Sequence, residues 1–243
     1  SENLVAWNWK ANGTGSSNSD GSITSTVSAN TTAGFSIVQW TSGGNTTVGH
    51  GLGVAPSFII VKAKSETANW IVGSSASGWG NRLRLNTTDA SSSSSAFQST
   101  SPTSSVFSEN YSSGSKTKIA YCFAEKTGYS KVGSYVGNGS STDGTFVYTG
   151  FKPAFILIKT TDLAGNNWQM YDNKREGYNP QNDLFRANGT DAEGNGTDPI
   201  DIYSNGFKNR HTAGSQNQNG GTYIYLAFGQ SIVGSNNIPA MAR

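Results

Sequence analysis

The 243 residues include one cysteine, two methionines, two histidines and six prolines. A single thiol excludes an internal disulfide framework and any paired-cysteine metal site. Cys122 lies within the apolar run Lys118–Ala124 and is expected to be a small buried hydrophobe. Charge is scarce too: 13% of residues are charged and the net charge is +2, with Lys and Arg thinly spread. Without a basic cluster the chain carries no electrostatic footprint for nucleic acid. No run approaches the roughly 20 apolar residues of a membrane span, so no membrane insertion is expected. No signal-peptide pattern opens the chain. Nor does any sustained 3.6-residue apolar period announce a helix.

What the chain has in plenty is turn chemistry and rings. It holds 30 glycines, 11% aromatic residues and long tracts of Ser, Thr and Asn. That mixture fits many short strands joined by polar turns. The Asn-x-Ser/Thr triplets, those at Asn86 and Asn188 among them, fit turns as well.

The strongest pattern is an internal repeat. The segment Gly51-Leu-Gly-Val-Ala-Pro-Ser-Phe-Ile-Ile-Val-Lys62 recurs as Gly150-Phe-Lys-Pro-Ala-Phe-Ile-Leu-Ile-Lys159. Asn69-Trp70 recurs as Asn167-Trp168, and Asn86-Thr-Thr-Asp-Ala90 as Asn188-Gly-Thr-Asp-Ala192. The copies open on Gly34-Phe35-Ser36 and Gly128-Tyr129-Ser130, and close on Ile119–Ala124 and Ile224–Gly229. A third echo, Leu4-Val-Ala-Trp-Asn-Trp9, resembles the closing strand of a preceding copy. The expected organisation is therefore residues 1–33 as that closing strand plus a Gly/Ser/Asn/Thr-rich linker, 34–127 as a first module and 128–243 as a second with a C-terminal tail. With no initial methionine, the chain is expected to be the end of a longer array; the alternative is that residues 4–9 join the first module's own sheet.

Phe58–Val61 and Phe155–Ile158 are continuous apolar runs, β-branched and bounded by Pro and Lys. Such runs predict strands buried on both faces, with Lys62 and Lys159 at the exit to solvent. Asn81-Arg-Leu-Arg-Leu85 alternates, placing Leu83 and Leu85 on one face. The expected fold class is all-β: two tandem antiparallel β-sandwich modules, jelly-roll or concanavalin-like, with almost no helix. Trp70 and Trp168, at equivalent places, either anchor the framework or offer a stacking surface for a sugar.

Catalytic signals are thin. A glycosidase needs two carboxylates across a cleft, and only Asp89 has an equivalent, Asp191, each in a turn where its side chain is expected to bond its own backbone. No Gly-x-Ser-x-Gly elbow, His-x-x-x-His pair or phosphate loop occurs, so no enzyme is expected. Two candidate sites stand out, both in the second copy. Tyr171, Lys174, Arg175 and Tyr178 combine the residue types favoured at recognition surfaces. Asp191, Glu193, Asp198 and Asp201 place hard oxygen ligands on a polar loop, as calcium requires, or form a merely solvated one.

The wording of these landmarks resembles a repeat module of tail-fibre-like and other virion proteins of marine bacteriophages, cyanophages included. The likeness rests on Val5-Ala-Trp-Asn-Trp-Lys-Ala-Asn-Gly-Thr-Gly-Ser-Ser-Asn18, His50–Pro56, Ile119–Glu125, Gly133–Gly139, Val147–Ala154 and Ile238-Pro-Ala-Met-Ala-Arg243. The resemblance implies concanavalin- or laminin-G-like sandwiches with structural or adhesive roles in a virion, on its tail or capsid surface. The expected partners are a host-surface polysaccharide or receptor, other virion proteins and further copies of the chain, a homotrimer being favoured. The alternative is a scaffold subunit of a capsid decoration, filament or appendage with no ligand of its own.

Overall fold

Period-two burial and glycine-rich turns divide the chain into strands. The computed structural model describes residues 5–111, 114–194 and 198–229, with no helix among them. In the first module the strands are β1 (Ser16–Asn18), β2 (Ser25–Asn30), β3 (Phe35–Ser42), β4 (Thr46–Gly49), β5 (Phe58–Ala63), β6 (Ile71–Ser74), β7 (Asn81–Arg84), β8 (Ser92–Ser93), β9 (Val106–Glu109) and β10 (Lys116–Phe123). The second module holds β11 (Ser130–Val136), β12 (Phe146–Tyr148), β13 (Pro153–Thr160), β14 (Gln169–Asp172), β15 (Phe185–Arg186), β16 (Ile200–Tyr203), β17 (Gly206–Asn209) and β18 (Thr222–Gly229).

The repeat in the sequence is a repeat in topology. One large sheet runs β1-β2-β3-β10-β5-β6-β7-β8 and the other β11-β18-β13-β14-β15, so β3-β10-β5-β6-β7 and β11-β18-β13-β14-β15 share one order. The small sheets, β4-β9 and β12-β17-β16, correspond as well. All the strand pairs are antiparallel. The fold is therefore the all-β arrangement of antiparallel sandwiches that the residue pattern predicts. Each module opens on a glycine in the left-handed region, Gly34 at φ 69° and Gly128 at φ 74°. At Gly34 a Cβ would also stand 2.5 Å from the Ala124 carbonyl oxygen, so a side chain is excluded twice over.

The continuous apolar runs follow from how the modules meet. Along β5, Ile59 and Val61 point into the first module's core while Phe58 and Ile60 point away from it. Along β13, Ile156 and Ile158 face the second module's core while Phe155 and Leu157 point away. The central strands β10 and β18 alternate in the same way, Ala120 and Cys122 inward against Tyr121 and Phe123 outward, Tyr225 and Ala227 against Leu226 and Phe228. All the outward residues meet in one shared core between the two large sheets. The order of layers is small sheet, large sheet, large sheet, small sheet.

Polar groups fasten this seam. Trp168 is buried in it and its indole Nε1 donates to the Arg84 carbonyl of the other module at 2.8 Å. Backbone bonds cross at Ser91 to Thr161 and Gly165 to Thr88. Lys159, expected at an exit to solvent, is fully buried, and its ammonium donates to the carbonyls of Asn166 at 2.9 Å and Thr88 at 3.4 Å. Lys62 does the same within the first module, reaching the Ala68 carbonyl at 2.9 Å. The correction has a simple cause: after β5 and β13 the chain loops back over the strand end, and the ammonium binds the carbonyls that the loop turns inward. Inside the first core, Lys118 and Glu109 form a wholly buried ion pair at 2.8 Å, with Ser42 donating to the same carboxylate. At the same places on β18 and β17 the second core has Tyr223 and Asn209.

Three further expectations change. Residues 16–30 are not linker: β1 and β2 extend the first large sheet, with Val27 reaching its core. Val5–Trp9 forms no strand in this chain, and Leu4 lies outside the described residues. Its indoles Trp7 and Trp9 pack onto the end of the seam instead. Asp89 and Asp191 do not close turns on their own backbone; each pairs with the arginine five residues earlier, Arg84 at 2.6 Å and Arg186 at 2.9 Å. The neighbouring asparagines do the turn work, Asn86 and Asn188 accepting from the Trp70 and Trp168 amides. Cys122 is buried as expected, and burial pushes its thiol up to about 12.

Because the seam is core to both modules, Trp168→Ala is expected to cost about 3–5 kcal/mol and leave one thermal transition for the whole chain. Calorimetry checks this, and two separate transitions would show modules that stand alone. Burial also pushes Lys159 down to about 8, against the pull of Asp89. The folded state thus releases this proton before the unfolded state does. Relative to Lys159→Met, wild-type stability should rise as pH climbs from about 8 towards 10.5, read by urea unfolding.

Candidate functional site

A concavity opens where the seam reaches the surface, beside Trp7 and Trp9. Trp9 stands over the aromatic ends of the central strands, with ring centroids 5.3 Å from Phe228, 5.4 Å from Phe155 and 6.0 Å from Phe123, all edge-to-face. Trp7 meets Phe155 at 5.5 Å and Phe185 at 5.9 Å. Tyr129, the residue after the opening glycine of the second module, packs on Phe228 at 5.8 Å. Trp7, Trp9, Tyr129, Phe155 and Phe228 bound a groove of about 510 Å³, the size of a small-ligand site.

The polar wall comes from the end of β14. Asp172 Oδ1 accepts from the amides of Lys174 at 2.9 Å and Arg175 at 3.2 Å. Its Oδ2 accepts from Arg175 Nε at 2.8 Å and Trp7 Nε1 at 3.2 Å. Burial works against the Asp172 carboxylate, but the Lys174 amide and the Arg175 guanidinium outweigh it, so its pKa lies below the usual aspartate value. Arg175 also pairs with Glu193, donates to the Asp183 carbonyl and lies over the rings of Phe185 and Trp7 at 4.9 and 5.9 Å. Asp172 and Arg175 are therefore fixed structure. Lys174 is exposed, and its ammonium has no hydrogen-bond or ion-pair partner among the described residues.

The structure redistributes the recognition residues named from sequence. Lys174 and Arg175 line the groove. Tyr171 does not: it is fully buried, and its hydroxyl donates to the Asp198 carbonyl and Gln216. On β14 it occupies the place of Gly73 on β6, where the first module fills the space with the Phe97 ring. Tyr178 is 66% exposed but belongs to a separate small cleft with Lys152 and Asn173.

The four acids do not converge. Asp191 pairs with Arg186, Glu193 with Arg175 and Asp201 with Arg210, while Asp198 accepts from Gln169 and Ser215 and lies 3.1 Å from His211 Nδ1. Among the described residues no group of three His, Cys, Asp or Glu is placed to hold a metal ion.

Sequence reasoning missed Trp7, Trp9, Phe155, Phe228 and Asp172. One signal pointed to the indoles. Aligned on the repeat, Trp7 and Trp9 share the parity of Tyr121 and Phe123, the face that every module turns to its neighbour.

The Asp172 network yields a prediction. Its contribution to stability is complete above the ordinary aspartate pKa and is lost as pH falls through the lowered folded value. Asp172→Asn should cost about 1.5–3 kcal/mol at neutral pH and flatten that part of the acid limb. Trp7 loses its hydrogen-bond acceptor in the variant, so tryptophan emission should shift as well.

No curated protein and no solved structure shows a significant match. Residues 1–231 match the family model described as a domain of unknown function, DUF7483. The match spans both modules and the Trp7–Trp9 segment that seals them, so the chain belongs to the DUF7483 family.

Proposed function

We propose that the chain is a non-catalytic adhesion region of a virion, a tail-fibre or receptor-binding part that grips host-surface glycans through the seam groove. The observation that carries this is the exposed ammonium of Lys174, without a partner among the described residues, beside the aromatic wall of Trp7, Trp9 and Tyr129. A sugar presents an apolar ring face and polar hydroxyls or carboxylates, which such a wall and cation match. Among the described residues that line the groove Asp172 is the one carboxylate, and Arg175 holds it ionised, which makes it a poor proton donor. The virion setting draws on the resemblance of the repeats to marine phage modules. Oligomerisation, favoured as a trimer, multiplies weak sites into avidity.

A scaffold role is the second reading, favoured by one observation. The backbone of Val5–Trp9 forms no hydrogen bond to the described residues, which leaves an extended segment able to pair with a neighbour's sheet edge.

The two part on direct measurement. Wild-type chain should bind purified lipopolysaccharide or capsular polysaccharide of host bacteria, and Lys174→Glu should weaken binding about tenfold, ~1.4 kcal/mol. Binding unaffected by Lys174→Glu, or absent from an intact oligomer, overturns the groove as adhesion site. Dissociation of the oligomer on removal of residues 1–9, seen by light scattering, supports the scaffold reading.

A further inference from the structure

The outer face of the second module's small sheet differs from its counterpart in the first. Across β12, β17 and β16 the residues pointing away from the core form two rows: Phe146, Lys208 and Asp201 in one, Tyr148, Gly206 and Tyr203 in the other. The three rings are large apolar groups left in solvent, Phe146 45%, Tyr148 59% and Tyr203 40% exposed. Phe146 leans across Gly206 towards Tyr203, with centroids 6.0 Å apart at 69°. A Cβ at Gly206 would collide with the Val147 carbonyl oxygen and come within 2.9 Å of the Phe146 ring. The Phe146 ring therefore lies over Gly206, and the three rings form one shallow aromatic face, with Lys131 Nζ 5.3 Å from the Tyr148 ring centroid.

Fixed charges border this face. Tyr203 donates its hydroxyl to Asp201 at 3.1 Å, and Lys208 pairs with the open Asp143 carboxylate at 2.5 Å. In the first module the equivalent positions are Thr47 and Gly49 on β4 facing Ser108 and Val106 on β9, with no ring among them. There the N-terminal strands also cover the edge, Ser22 bonding Thr47 and Ile23 bridging Val48. The aromatic face is therefore no requirement of the framework.

Its size and chemistry decide what it fits. A wholly buried aromatic ring covers about 150–250 Å², so three half-exposed rings offer only about 300 Å². That is well short of the roughly 800 Å² per partner that a stable protein interface needs. A pyranose ring needs far less, and it carries both an apolar C–H face to lie on a tyrosine and hydroxyls to bond carboxylates and ammonium groups at the edge. We propose that this face is a second carbohydrate site, a platform for uncharged pyranose rings of a polysaccharide. It rests on the adhesion reading only for where the polysaccharide comes from.

The test is affinity electrophoresis of the full chain in gels containing laminarin, xyloglucan or galactan. At least one should retard the wild type. Tyr148→Ala/Tyr203→Ala should weaken that retardation at least about tenfold, while a single cooperative melting transition, lowered by only a few degrees, shows that the fold is kept. Tyr148→Phe/Tyr203→Phe keeps the ring faces and should keep most of the retardation. Lys174→Glu, which alters the seam groove alone, should leave it intact. Retardation by none of the three, an unaffected double-alanine variant, or loss only in Lys174→Glu each overturns the platform. Retardation by a neutral polysaccharide without binding to host polysaccharide keeps the platform and sinks the adhesion reading instead.

Discussion

The structure depends on two large sheets pressed face to face. Each sandwich alone would leave a row of rings and aliphatic groups in water along its central strands: Phe58, Tyr121 and Phe123 on one side, Phe155, Leu157, Leu226 and Phe228 on the other. A patch of that kind is rare on a solitary soluble domain. Packing the two rows together removes both at once, and the orphan polar groups of the contact are met by Trp168, Lys159 and crossing backbone bonds. At one end the seam opens, and there Trp7 and Trp9 cap it. The groove is a consequence of the seam, because two twisted sheets diverge towards their edges and leave room where the capping segment does not fill it.

Much of this was legible in the residues, for identifiable reasons. The matched landmarks at Pro56 and Pro153, Asn86 and Asn188, and Trp70 and Trp168 hold equivalent places beside equivalent strands, because each serves the framework. The unbroken run Phe58–Val61 announced burial on both faces; what covered the second face was not written in it, since the partner is 97 residues away at Phe155. Residues 16–30 misled because β1 and β2 are built of Ser, Thr and Asn, with Val27 the main apolar anchor. Edge strands need little hydrophobicity, and composition cannot tell them from linker. Tyr171 misled for a subtler reason: a tyrosine next to charged loop residues has the composition of a recognition surface, and only the parity of β14 shows that it points inward. The acids of 191–201 look like a cluster in sequence and are dispersed in space, each drawn to a different cation or amide donor.

Duplication explains the economy of the design. The copies keep what folds them, including the aromatic pair that bridges large and small sheet, Trp40 on Phe107 and Tyr135 on Phe207. They differ where a ligand would be met. At the end of β6 Ser74 closes a short turn by accepting the Ala76 amide; at the same place on β14 Asp172 closes the same turn and additionally holds Arg175 and Trp7. The outer face of the small sheet is Thr, Gly, Ser and Val in the first copy and largely aromatic in the second. One module has stayed plain, and the other carries both surfaces suited to recognition.

The shared seam is tested most directly by native-state hydrogen exchange on the intact chain. If the seam is one core, the slowest amides of β5 and β10 and those of β13 and β18 open with a common free energy and respond together to denaturant. Exchange of one module's central strands through a separate, cheaper opening that leaves the other protected would contradict it.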